Sequence, residues 1–517
     1  MLMGQETELK FIGPDDALAR VRRLPLFRRL ARNRKPQTRA LHAIYFDTDD
    51  LALRKAGYVL RVRNEGDGFV QTLKSANGPD VATRTEIKAT VASLAPDVGA
   101  ISDEAVRRRV AKALKKAVLK PQFSVEVRRT KVLLTPKRGT EIEAAFDTGV
   151  IRTLGEGRAS QAPISELELE LLKGSANDLV ACAKELTAGQ PLMLFLQSKA
   201  ARGYALIKDE AEAPVYAQRL ALSDTATADT AFTGVIGYCL NHLLGNWAAV
   251  TIARDPEGIH QMRVALRRLR SALTLFGGPF RTSLRAIEDE VRWLAGVMGE
   301  ARDLDVFQDE VFRPAAEAHG EDERLRELAT VVRTRRRIAW SHVFEALESE
   351  RFRRLVIELA AVTYSKPWFD ATIGGEDAMR DASEFARERL DHRRTRAVKL
   401  GKRIDDLDVS ERHELRKRLK KLRYACDFFQ SLFRKREVKA FVKRLSALQD
   451  VLGEMNDAAV ARTLVRVILA EQGGDGAASI GYAGGVVVGW HVGHARERSE
   501  KLKRRWRRLA KLKAPWR

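Results

Sequence analysis

Two different rhythms of polar and apolar residues divide this chain. From residue 5 to about 205 the period is two. The segments TELKFI, GYVLRVR, GFVQTLK, RTEIKA, FSVEVRRTKVLL, EIEAAFD and SELELELL alternate polar and apolar side chains, as strands with one solvated face do. Turn-forming pieces separate them, such as Asn64-Glu65-Gly66-Asp67-Gly68 and Asn77-Gly78-Pro79-Asp80. Short helices are predicted near Asp15 to Arg32 and Asp103 to Lys116. From about residue 225 onward the alternation gives way to long amphipathic helical patterns. The stretch 206–224, polar and containing a proline, reads as the linker. The expectation is an antiparallel α+β domain over 5–205 and an all-α half over 225–517.

The polar strand faces carry an uneven set of charges. Side chains two apart on a strand share a face, so Glu6, Glu8 and Lys10 form one set. Arg61 and Arg63 form a second, Arg84, Glu86 and Lys88 a third, and Glu166, Glu168 and Glu170 a fourth. Three stacked glutamates repel one another on a plain solvent face. They make sense around a hard cation such as Mg²⁺ or Mn²⁺, which takes carboxylate oxygens. Arginines and lysines on other strands would then meet the anion that the cation bridges. Closing the sheet would bring acidic and basic strands across one lumen, with the apolar residues outward under the helices.

The order of these segments resembles the CYTH family of triphosphate tunnel metalloenzymes. The similarity runs from Glu6-x-Glu8-x-Lys10 through Tyr45-Phe46-Asp47-Thr48, Leu53 to Arg63, Gln71 to Lys74 and Arg84-Thr85-Glu86. It continues through Phe123 to Lys131, Ile142-Glu143 with Asp147, Glu166 to Gly174, and Ser198 to Tyr204. The resemblance implies an eight-stranded tunnel barrel that binds triphosphate end to end. By it, Lys10, Arg61, Arg63, Lys74, Arg84, Arg128 and Lys199 hold phosphate oxygens. Glu6, Glu168 and Glu170 bind Mg²⁺ or Mn²⁺, and Glu8 orients or deprotonates the attacking water. Arg128 is favoured over Arg129 because its parity sets it opposite the apolar Phe123, Val125 and Val127. Glu166 shares the face of Glu168 and Glu170, and spacing does not choose which pair meets the metal. Glu143 and Asp147 share parity and offer either a second carboxylate set or ion-pair partners.

The helical half repeats itself. His260, Arg263, Arg267 and Arg270 recur as His413, Arg416, Lys420 and Arg423, at offsets of 0, 3, 7 and 10. On a helix each set falls within a stripe of roughly 80°. Beside it runs an apolar stripe: Met262, Leu266, Leu269 and Leu273 in one copy, Leu415, Leu419, Leu422 and Cys426 in the other. Farther on, Gly299-Glu300 and Asp303 match Gly453-Glu454 and Asp457, while Arg302 is replaced by Asn456. Two related helical bundles about a pseudo-twofold are expected, one over about 225–375 and one over about 376–517. This half resembles the CHAD family, the conserved-histidine α-helical domain, and that resemblance implies polyphosphate binding by the two stripes.

Composition narrows the rest. The net charge of +23 over 517 residues favours polyanionic partners. No helix-turn-helix signature, zinc spacing or aromatic-rich strand face points to specific nucleic-acid reading. The three cysteines, Cys182, Cys239 and Cys426, lie far apart and fit a reducing cytoplasm. No secretory leader is expected at the N-terminus, and no apolar run approaches the roughly 20 residues that span a bilayer. The full pattern resembles bacterial inorganic triphosphatases. A binding module without turnover, or a hydrolase for thiamine triphosphate or nucleoside triphosphate, are the alternatives.

Overall fold

The computed structural model describes residues 7–517 apart from 33, 67, 76–85, 116, 155–158, 211, 370–375, 472–473 and 494. The strands are β1 (Glu8–Ile12), β2 (Gln37–Asp47), β3 (Tyr58–Asn64), β4 (Phe69–Ser75), β5 (Glu86–Val91), β6 (Lys120–Leu134), β7 (Glu141–Thr153), β8 (Gln161–Lys173) and β9 (Met193–Leu194). The helices among and just after them are α1 (Asp15–Arg23), α2 (Pro25–Ala31), α3 (Ala52–Lys55), α4 (Glu104–Leu114), α5 (Ala176–Thr187) and α6 (Lys199–Ile207). Then come α7 (Ala228–Gly245), α8 (Trp247–Thr251), α9 (Pro256–Phe276), α10 (Gly278–Thr282), α11 (Arg285–Val306), α12 (Arg313–His319) and α13 (Glu323–Glu348). The last are α14 (Glu350–Ser365), α15 (Ala382–Gly401), α16 (Val409–Phe429), α17 (Lys435–Ala470), α18 (Gly474–Gly493) and α19 (Ala495–Ala510).

Among the described residues the strands form one antiparallel sheet of nine, in the order β5-β4-β3-β2-β6-β7-β8-β1-β9. This corrects the expected closed barrel of eight. Among the described residues β5 and β9 are edges. The short β9 takes the free edge of β1, pairing Leu194 with Phe11 and Met193 with Ile12, so β1 has no edge left for β5. Apolar residues line the outer face as expected. Leu60, Val62, Leu73 and Phe46 pack with Val106, Val110 and Leu114 of α4. A second apolar cluster, unexpected from parity, lies on the other face: Tyr45, Phe123, Val125, Val127, Ile151 and Ile164 pack against Tyr204 of α6. The inner face is thus apolar under α6 and charged beyond it.

Two compact units organise the chain. The strand-rich unit holds residues up to Pro214 together with Leu244–Ala253 and Glu348–Ser365, so α8 and α14 belong to it. Both stretches lie within the residues expected for the helical half, and by packing they group with the strands. In this unit α14 lies on α5 and β9.

The helical unit takes Val215–Leu243, Arg254–Leu347 and Lys366–Arg517. Local chemistry starts its principal helices. Asp255 caps α9 by accepting from the Glu257 N–H, with proline next in line, and Asp408 with Glu411 forms a reciprocal capping box at α16. The matched segments after the two stripes sit in different settings. The first ends the 22-residue α11 and runs into a π-helical turn at Phe307–Phe312, while the second lies inside the 36-residue α17. Arg268 of α9 joins Asp427 of α16 at 3.4 Å and lies over the rings of Phe428, Tyr238 and Tyr424.

Candidate active site and anion surface

Register carries one charged face across the whole sheet. Directly paired residues point to the same side, and Glu8, Lys10, Glu168, Glu170, Glu143, Asp147, Arg129, Tyr45, Arg61, Thr72, Lys74, Glu86 and Lys88 are linked by successive pairs or by spacings of two. Helix α6 crosses this face. Ser198 caps it by accepting from the Ala201 N–H at 3.1 Å, which fixes Lys199 at its first position. The Lys199 ammonium then meets Asp147 at 2.7 Å, Glu166 at 2.6 Å and Glu168 at 2.7 Å. One turn on, Arg202 donates to Glu166 at 2.7 Å. Arg129 grips both oxygens of Asp147, at 2.7 and 2.6 Å, and also reaches Glu168. Asp147 and Glu166 are 0% exposed, a burial that carboxylates tolerate only when paired in this way.

The same α6 segment explains its small residue. A side chain at Gly203 would fall 2.2 Å from the Phe123 ring, which itself stacks on Tyr45 with centroids 4.5 Å apart. Tyr204 donates its hydroxyl to Asp47 at 3.1 Å, and Asp47 also accepts from the backbone of Thr48, Leu53 and Arg54. Asp47 and Tyr204 therefore hold α3 and α6 in place, and through α6 they hold Lys199.

Charge sets the protonation of the site. Burial alone would raise the Glu168 carboxyl, but Lys199 and Arg129 outweigh it and hold the group at about 2. Glu8 stays open to water at the start of β1, yet the surrounding protein desolvates it. That desolvation, followed by the Glu168 charge, pushes its carboxyl up to about 7. Lys10 is lowered, first by burial, and donates to the Gln197 carbonyl. Farther across, Glu86 draws in Lys74 at 3.1 Å, Lys88 at 3.6 Å and Arg61 at 4.0 Å. The Arg61 Nε is buried with no hydrogen-bond partner among the described residues.

In the helical unit α9 packs between α11 and α16. His260 faces Arg302 of α11, Arg267 and Arg263 of its own helix, and Lys420 of α16. Burial, and then these cations, lower the imidazole to about 4. Arg263 threads past Gly299, where a Cβ would come 2.7 Å from its guanidinium, to donate to the Ala295 carbonyl at 3.3 Å. The Nε atoms of Arg267 and Arg423 are buried with no partner among the described residues.

The CYTH family matches residues 4–204 and the CHAD family residues 234–466. This chain is a CYTH domain followed by a CHAD domain. An uncharacterized protein of Mycobacterium tuberculosis is 28% identical over 443 residues, covering 82% of this chain and 81% of its own length. The inorganic triphosphatase of Haemophilus influenzae is 30% identical over 219 residues, 40% of this chain and 56% of that one. The crystal structure of the CHAD domain from the plant Ricinus communis covers 59% of this chain and 98% of its own, at 31% identity and a TM-score of 0.50.

Lys10, Arg61, Lys74, Lys199, Glu8, Glu168 and Glu170 all lie on the one inner face. Arg63 shares it and pairs with Glu65. Glu6 and Arg84 lie outside the described residues. Arg128 is exposed on the opposite face, and Arg129 is the one at the carboxylates. Parity misled because Phe123, Val125 and Val127 belong to the inner apolar cluster and not to an outer shell. Among the described residues, the oxygens of Asp147, Glu166 and Glu168 all lie within 4.8 Å of one another, and Glu170 lies in register with Glu8 and Glu143. In the CHAD domain, His260, Arg263, Arg267 and Lys420 come together, joined by the unforeseen Arg302. Arg270 is exposed, Arg416 is half-buried, and Arg423 lies over the Tyr424 ring. His413 hydrogen-bonds Asn456 at 2.8 Å, where His260 instead faces Arg302, so the two copies differ in charge.

Proposed function

We propose that the CYTH domain hydrolyses inorganic triphosphate to diphosphate and phosphate with Mg²⁺ or Mn²⁺, and that the CHAD domain binds polyphosphate. The observation that carries the reading is the single inner face that runs from the Glu8–Glu168–Glu170 carboxylates, past Lys199 and Arg129, to Arg61 and Lys74. The relative from Haemophilus influenzae, an inorganic triphosphatase, favours the same substrate.

The donor set suits a hard divalent cation. Its oxygens are all carboxylates, and Glu8 carries a carboxyl whose desolvation a nearby cation would relieve. Glu168 and Glu170, with Glu6, would hold the metal; Glu168 also meets Lys199 and Arg129, and the fully buried Asp147 and Glu166 are shared among Arg129, Lys199 and Arg202. When bound, the metal supplies Lewis-acid polarisation of a phosphoryl oxygen. The chain supplies positioning and charge: Lys10, Arg61, Arg63, Lys74, Arg129 and Lys199 hold phosphate oxygens along the face, and the family resemblance adds Arg84 to them. Glu8, poised near neutrality, takes the proton of the attacking water. In the CHAD domain the cations around His260 leave a surplus of positive charge for successive phosphates.

Phosphate release from inorganic triphosphate, thiamine triphosphate, ATP and long polyphosphate, with Mg²⁺, Mn²⁺ or EDTA, tests this. Metal-dependent release from triphosphate above the others is expected. Silence on every substrate in a folded sample would leave a binding protein, and faster release from thiamine triphosphate or ATP would move the specificity.

A further inference from the structure

The two basic stripes of the helical unit end differently. On α9 the offsets of 0, 3, 7 and 10 from His260 continue to 14 at Thr274, which stays within the same stripe of roughly 80°. On α16 the same offset from His413 falls on Asp427. Asp427 meets Arg268 at 3.4 Å, so a carboxylate closes that stripe. Thr274 is uncharged and exposed, and Arg393 of α15 reaches it. The Arg393 guanidinium donates to the Thr274 hydroxyl oxygen and to the Ser271 carbonyl, each at 3.3 Å. A cation thus follows the α9 stripe where an anion follows the other.

Arg393 belongs to a row. Arg389, Arg393 and Arg396 stand at offsets of 0, 4 and 7, on one face of α15 about 10 Å long. Arg394, outside that row, turns away to the Leu512 carbonyl at 2.8 Å. Arg389 lies over the Phe385 ring at 5.0 Å, and its Nε is buried with no partner among the described residues. Arg418 of α16 donates to the Arg396 carbonyl at 3.0 Å, which sets the end of the row beside α16. Lys421 is exposed there, and Arg393, Arg396 and Lys417 act on it. Glu414 acts on it too, but Glu414 is already shared by Lys417 at 2.9 Å and Arg418 at 3.0 Å. Burial, then Arg389 and Arg396, lower the Arg393 guanidinium to about 10. Crowded like charges repel, and a bound polyanion relieves that repulsion. The duplication does not account for the row. In the first copy the helix before α9 is α7, ADTAFTGVIGYCLNHLLG, without lysine or arginine.

We propose that a condensed phosphate chain leaves the α9 stripe over Thr274 and runs on to Arg393 and Arg396, so that α15 selects long chains over short ones. This rests on the polyphosphate reading of the CHAD domain above. A short chain is satisfied by the stripes around His260, and only a longer one reaches the row on α15. The α16 end offers no such exit, because Asp427 stands there. Arginines that merely tied α15 to α9 would affect short and long chains alike.

The test titrates the full chain with short-chain and long-chain polyphosphate at several salt concentrations, with EDTA present to prevent turnover. The double variant Arg393→Gln, Arg396→Gln should lower affinity for the long chain about tenfold, with short-chain affinity within about twofold of the parent. The slope of log K against log salt for the long chain should flatten by about one or more, as the loss of phosphate contacts requires. The melting temperature should not fall, since the change removes charges that repel one another. Thr274→Asp, which copies Asp427 into the α9 stripe, should also abolish the preference for the long chain while leaving both arginines in place. Equal losses for the two chain lengths, or an unchanged salt slope, would overturn the track on α15 and leave polyphosphate binding by the stripes intact. Single-stranded DNA held more tightly than long polyphosphate, and weakened by the same double variant, would overturn the condensed phosphate as occupant. A parent chain that binds neither polyphosphate would overturn the polyphosphate reading first, and the track with it.

Discussion

At the scale of single residues, the adjacent pair Arg128 and Arg129 separates surface from site. Arg129 is half-buried and holds the fully buried Asp147 with two hydrogen bonds, while Arg128 is exposed. Breaking such a pair strands a carboxylate in the interior, at a cost of about 3–5 kcal/mol. Arg129→Ala should therefore lower the denaturant midpoint and raise KM for triphosphate. Arg128→Ala should stay within about 0.5 kcal/mol of the parent. The reverse order of effects, measured by urea unfolding and initial rates, would refute the assignment of the inner face. His260 makes a second residue-scale case. Its folded value of about 4 lies below the ordinary 6.5, so the unfolded chain binds the extra proton between those values. Stability from this group is complete above pH 6.5 and is lost as pH falls toward 4. A polyanion seated among Arg263, Arg267, Arg302 and Lys420 offsets the charges that depress the imidazole. Polyphosphate should thus bind more tightly at pH 5 than at pH 8, and His260→Gln should flatten that dependence in a calorimetric titration. Equal dependence in parent and variant would remove His260 from the anion surface.

At the scale of elements, strand registers and helix caps convert short sequence signals into geometry. The CYTH-like segment Ser198 to Tyr204 was legible as a motif, but its division of labour was not: Ser198 caps, Lys199 and Arg202 reach carboxylates, Gly203 gives clearance, and Tyr204 locks onto Asp47. Gly203→Ala drives a methyl into the Phe123 ring, which is fully buried and has nowhere to go. A loss of about 1–3 kcal/mol is expected, together with lower activity through the displaced Lys199. An unaltered melting curve would show that α6 is free to shift. Period-two alternation identified β1, β3, β4, β5, β6, β7 and β8 because it reports one strand and its two faces. It could not report that α6 covers the inner face, and so it read Phe123, Val125 and Val127 as outward. The helical repeat was equally legible as two stripes, since helix periodicity is local. That Lys420 of one copy turns toward His260 of the other depends on how α9 and α16 cross.

At the scale of the whole molecule, the compact units cut across the order of the sequence. Residues up to Pro214, Leu244–Ala253 and Glu348–Ser365 make one unit, so the chain leaves it and returns twice. A protease site placed in the linker before Asp224 should nick the chain without freeing the CYTH part. Both fragments should co-elute in native gel filtration, because α8 and α14 stay with the strands. Clean separation after the nick would show that these helices are not integral to that unit. Elsewhere the sequence was sufficient. It determined the CYTH-then-CHAD order, the antiparallel and helical halves, and the face on which most charged residues lie. The last two follow from spacing along a strand or a helix, which covalent geometry imposes at short range, and the first from ordered motifs that resemble the two families. Tertiary structure alone decided that the sheet has nine strands with β9 on the edge of β1, that Arg129 and not Arg128 meets the carboxylates, and that α14 joins the strand-rich unit. Each of these depends on which surfaces bury one another across long stretches of chain, and burial between distant elements leaves no periodic trace in either one.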